Sequence, residues 1–108
     1  MTALLVAFGA GLGASARYSV ARRLDRGWPL GTLLVNVTGS TLVGLFAGLA
    51  VGDRPWALLG VGVCGGLTTY SGFAVLTHDL GWRRGTAYAA ATVALALAGC
   101  ALGYAVAT

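Results

Sequence analysis

The stretch Gly65-Gly66-Leu67-Thr68-Thr69-Tyr70-Ser71-Gly72-Phe73 constrains this chain most. It lies inside a run from Pro55 to Thr77 that holds no charged residue. Such a run can cross a bilayer, which takes about 20 residues of helix. Its centre, however, is two glycines followed by hydroxyl residues and two aromatics. A helix there is poorly supported, since each Gly costs about 1 kcal/mol against Ala. In lipid, non-helical backbone survives only where it is buried in protein or lines a polar cavity. A Gly-interrupted membrane span therefore points to an ion or substrate site. The residue types also allow a continuous helix, with glycines admitting a neighbour and hydroxyls bonding back to the i−4 carbonyls.

Of the 108 residues, 57% are hydrophobic and 9% charged. A soluble domain carries about 25% charged residues, so the chain reads as an all-α membrane protein. Four transmembrane helices are predicted within a single domain over residues 1–108. They cover about 3–21, 30–52, 55–77 with a break near 65–73, and 85–107. The first lacks a basic stretch ahead of its apolar run and is broken by glycines, so it reads as a span rather than a cleaved signal peptide. Cys64 and Cys100 fall at membrane depth with no metal-ligand spacing, which leaves packing as their role. His78, near the end of the third span, is given no function. All seven basic residues are arginines, and most flank the spans. That distribution sets membrane orientation and gives no reason to expect nucleic acid.

Four spans place the first and third loops on one side. That side holds Arg22, Arg23, Arg26, Arg83 and Arg84; the other holds Arg54 alone. The first and third loops are predicted cytoplasmic, with the termini outside, in a multi-pass protein of the cell membrane. Glycine pairs at four-residue spacing, Gly9/Gly13, Gly44/Gly48, Gly62/Gly66 and Gly99/Gly103, predict close helix packing. Arg17 follows the first pair, either snorkelling to the interface or held inward as a fixed charge. Asn36 is the most polar side chain in an uncharged span and needs a partner, either another helix or an ion. Tyr88 and Thr92 share a helix face that continues to Ala96, which is a polar track or an interhelical contact.

These residues resemble the Fluc (CrcB) family of fluoride channels. The resemblance runs from Gly9 to Tyr18, through Gly31, Thr32, Leu33, Asn36 and Gly39, and from Gly62 to Phe73. It implies an antiparallel, dual-topology-type dimer with a broken third helix and two pores lined by both subunits. It implies a structural sodium ion held by the backbone carbonyls of Gly65 and Thr68 and not transported. It also implies an anion path along Asn36, Thr69, Tyr70, Ser71, Phe73, Tyr88 and Thr92, with Arg17 as a fixed charge. Tyr70 and Gly72 stand where the family has phenylalanine and threonine, and Ala74, Leu76 and Ala96 also depart from its pattern. A self-pairing antiparallel dimer needs little charge bias, whereas this chain has five arginines against one. It is therefore expected to serve as one subunit of a heterodimer with a homologous partner, or else as a homodimer.

The implied function is passive, selective export of fluoride from the cytoplasm, which lowers its toxicity. The rivals are a small four-helix multidrug or cation transporter and a non-conducting membrane assembly subunit. The first needs a carboxylate within a span, yet Asp25, Asp53 and Asp79 lie in loops or at a span end. No hydrolytic or redox constellation is present, so no enzyme is expected.

Overall fold

The computed structural model describes residues 2–108. Helix α1 (Thr2–Leu24) leads into a short antiparallel hairpin, β1 (Asp25–Arg26) with β2 (Trp28–Pro29), and then α2 (Leu30–Leu49). The third span contains α3 (residues 53–67) and α4 (Tyr70–Asp79), and α5 (Gly81–Ala107) completes the chain. Among the described residues, four stretches are long and apolar enough to span a membrane: Thr2–Leu24, Leu30–Leu49, Asp53–Asp79 and Gly81–Ala107. The longest dimension, 42 Å, matches a bilayer with its headgroups, about 40–45 Å.

Small residues decide which helices pair. α1 lies against α3, and α2 against α5. A Cβ on Gly13 would strike the Val63 carbonyl, and one on Gly44 the Cys100 carbonyl, so backbones touch at both seams. Lipid tails are as apolar as leucine, and helices in a membrane gain by this close approach rather than by burying apolar area. Many large apolar side chains accordingly face outward, among them Phe8, Leu97 and Val106.

Several boundaries differ from expectation. α2 stops at Leu49, where Ala50 takes a left-handed conformation (φ 53°) and its N–H bonds to the Ala47 carbonyl at 3.1 Å. α5 begins at Gly81 rather than near residue 85, because Gly81 (φ 85°) makes the turn from α4 on its own. α1 extends to Leu24, so Arg22 and Arg23 belong to its last turn and not to a loop. Within α3, Trp56–Cys64 winds as a π-helix, which the sequence did not announce.

The hairpin and the α4–α5 junction meet at one end. Arg84 donates from a guanidinium NH2 group to the Gly27 carbonyl at 2.9 Å and lies 4.6 Å from the centre of the Trp28 ring. Asp25 caps α2: its carboxylate accepts from the Thr32 N–H at 2.9 Å and the Thr32 hydroxyl at 2.7 Å. A carboxylate there also suits the positive end of the helix dipole.

Candidate ion site at the broken third span

The third span is interrupted at Thr68 (φ −86°, ψ 156°) and Thr69 (φ −148°, ψ 123°), both extended. The break lies within the predicted window, but the glycines do not form it. Gly65 is helical (φ −62°, ψ −39°), and Gly66 serves α1, since a Cβ there would meet the Ala10 backbone.

Extended backbone at membrane depth strands its polar groups, and each one left unsatisfied costs several kcal/mol. Asn36 resolves this for Thr69. Its Oδ1 accepts from the Thr69 N–H at 2.8 Å, and its Nδ2 donates to the Thr69 carbonyl at 3.3 Å. The side-chain amide thus clasps one residue as a neighbouring strand would. One Nδ2 hydrogen satisfies Thr69, and the other remains for a further acceptor. Both threonines support the ends of the break. The Thr68 hydroxyl donates back to the Cys64 carbonyl at 2.9 Å, and the Thr69 hydroxyl accepts from the Gly72 N–H at 3.0 Å as the N-cap of α4.

The break separates the two helix poles. The last carbonyls of α3 carry partial negative charge and the first N–H groups of α4 partial positive charge. The Gly66 carbonyl accepts from Arg17 Nε at 3.1 Å. Of the two readings left open for Arg17, this bond turns the side chain toward α3, and Arg17 is not among the residues that line the groove described next. No hydrogen bond to the carbonyl of Gly65 or Thr68 is found among the described residues.

On the other side of the break a groove of about 460 Å³ runs between α2, α4 and α5. Asn36, Thr68, Thr69, Tyr70, Phe73 and Thr92 line it, with Ser40, Ala96 and Cys100 and no acidic side chain. Ser40 was not singled out by sequence, though it lies one turn beyond Asn36 and so on the same face. Cys100, expected to pack, contributes to the wall. Tyr88 stands behind Phe73, their ring centres 5.7 Å apart, and Tyr70 is 6.3 Å from Phe73. The hydroxyls of Tyr88 and Thr92 are buried within reach of each other and find no other partner among the described residues. Ser71 is exposed, its hydroxyl 3.4 Å from that of Thr69. Tyr70 is 83% exposed and projects away from the chain.

Four apolar spans among the described residues, the third of them broken, with a polar groove at the break, are the build of a multi-pass membrane protein. The profile described as "CrcB-like protein, Camphor Resistance (CrcB)" matches residues 4–104. Fluoride-specific ion channel FluC 2 of Rhodococcus jostii is 46% identical over 110 residues, covering 96% of each chain. Fluoride-specific ion channel FluC of Rhodospirillum rubrum is 38% identical, over 95% of this chain and 88% of its own. FluC 1 of Listeria innocua is 40% identical, over 74% of this chain and 71% of its own. The chain belongs to the CrcB family.

Proposed function

We propose that this chain is a fluoride channel subunit that lets the anion leave the cytoplasm passively. One observation carries the reading beyond the family: the hydroxyls of Tyr88 and Thr92 are buried with no partner except each other, beside the groove that Asn36 and Phe73 line. Buried polar atoms are nearly always paired; these two hydroxyls, one turn apart, can use one O–H between them, which leaves the other to donate to a ligand that accepts hydrogen bonds. The spare amide hydrogen of Asn36 and the N-terminal pole of α4 aim the same kind of charge at that groove. The aromatic ring edges of Phe73 and Tyr70 are the positive rim of their quadrupoles. A small, strongly hydrated anion needs several such donors in place of water. A negative-inside potential drives it outward with about 2.3 kcal/mol per charge per 100 mV.

Gly65 and Tyr70 favour assembly. A Cβ on Gly65 would meet nothing within 4 Å, and Tyr70 lies bare at membrane depth. A second, antiparallel subunit covers both in the proposed channel. The five-to-one arginine distribution favours a homologous partner of opposite orientation over a second copy. The free carbonyls of Gly65 and Thr68 fit a hard cation, which takes oxygen ligands. A resident sodium ion held by them would join the two breaks electrostatically across a two-fold axis. The cytoplasmic placing of the arginine-rich end belongs to the same proposal.

The test is fluoride efflux from liposomes carrying the purified chain, alone and with a homologous partner, in sodium and in sodium-free buffer. Flux that needs the partner and weakens without sodium supports the proposal in full. Full flux from this chain alone refutes an obligate heterodimer, and no fluoride flux in any combination refutes the channel reading.

A further inference from the structure

The arginines at the loop end are not all accounted for. Arg84 is held by the Gly27 carbonyl and the Trp28 ring, and Arg17 by the Gly66 carbonyl. Asp25, the nearest carboxylate in sequence, is committed to Thr32. Arg22, Arg23 and Arg26 make no ion pair among the described residues, where the one pair is His78 with Asp79. Together with Tyr18 and Ser19 these three arginines line a concave pocket of about 340 Å³ that contains no acidic side chain.

The depth of this pocket suggests its ligand. From Thr2 to Arg22 α1 rises about 30 Å, the thickness of the hydrocarbon core. Arg22 and Arg23 therefore reach the headgroup layer, and Tyr18, one turn deeper and 63% exposed, lies at the boundary. Guanidinium groups bind phosphate oxygens in a fork, and the two hydroxyls can donate to the same group. A soluble anion has no use for a site half sunk in the bilayer edge, whereas a lipid phosphate is already at that level.

We propose that this pocket holds the phosphate headgroup of an anionic phospholipid. The fluoride reading does not depend on it. The test is native mass spectrometry of the purified chain in mild detergent, exposed to phosphatidylglycerol and phosphatidylcholine together. Preferential retention of phosphatidylglycerol is expected. In the Arg22→Gln/Arg23→Gln double variant that preference should fall by about fivefold per arginine, the worth of a basic residue near an anionic surface. Arg54→Gln, at the opposite end, should not change it. Should the double variant fail to fold, Arg26→Gln, beyond the end of the helix, decides by the same fivefold criterion. Equal retention of the two lipids, or an unchanged preference in the variants, overturns the site. Displacement of the lipid by an equal concentration of inorganic phosphate also overturns it, as a soluble-anion site.

Discussion

At the scale of single residues, the clasp and the buried hydroxyls of Tyr88 and Thr92 make separable predictions. Asn36→Ala strands the Thr69 N–H and carbonyl, and each should cost about 1–3 kcal/mol. Thermal unfolding in detergent should show this loss together with a loss of flux. Tyr88→Phe behaves differently, because its hydroxyl has no partner beyond Thr92, one turn away on the same helix. Its melting temperature should hold or rise, while fluoride flux falls about tenfold, the worth of a hydrogen bond to a charged group. A marked fall in stability would mean that the hydroxyl has a structural partner. Sequence identifies Asn36 as a residue in need of a partner, since an amide in an apolar span cannot stay unpaired. It cannot identify Thr69 as that partner, because the two are 33 positions apart and meet only when α2 packs beside the break. Arg17 was similarly open, and only the position of the Gly66 carbonyl decides its direction.

At the scale of elements, adjacent glycines have opposite fates. Gly66→Ala drives a Cβ into the Ala10 backbone and should cost about 1–3 kcal/mol or more as overpacking. Gly65→Ala meets nothing in this chain and should leave its unfolding unchanged or up to about 1 kcal/mol more stable. Its effect should appear instead in assembly and sodium dependence. Equal destabilisation by both substitutions would contradict the packing of α1 on α3. The glycine pairs were legible because four-residue spacing brings both members onto one face, where backbones can touch. The site of the break was legible only as a window. Glycine composition marks weak helix, but the unwinding falls on Thr68 and Thr69, whose hydroxyls and the Asn36 amide stabilise it. The π-winding of Trp56–Cys64 was hidden, because an apolar run looks the same whichever carbonyl each N–H chooses.

At the scale of the whole molecule, the first and third loops share one end through Arg84, Gly27 and Trp28, as the two spans between them require. A reporter fused after Thr108 should be found outside the cell, and an internal reporter would contradict the orientation proposed from the arginines. The break at Thr68 and Thr69 lies in mid-span, away from the loop arginines, so substitutions there should change conduction without changing orientation. The central claim is that an interrupted third span, clasped by Asn36, opens a polar path for fluoride. It is tested most directly by fluoride-electrode recordings of efflux from liposomes carrying the assembled channel, with Asn36→Asp as comparison. The account predicts fluoride-selective efflux that Asn36→Asp abolishes, because that change removes a donor and places a carboxylate in the groove. Undiminished efflux from Asn36→Asp, or equal passage of chloride by the unaltered channel, would contradict it.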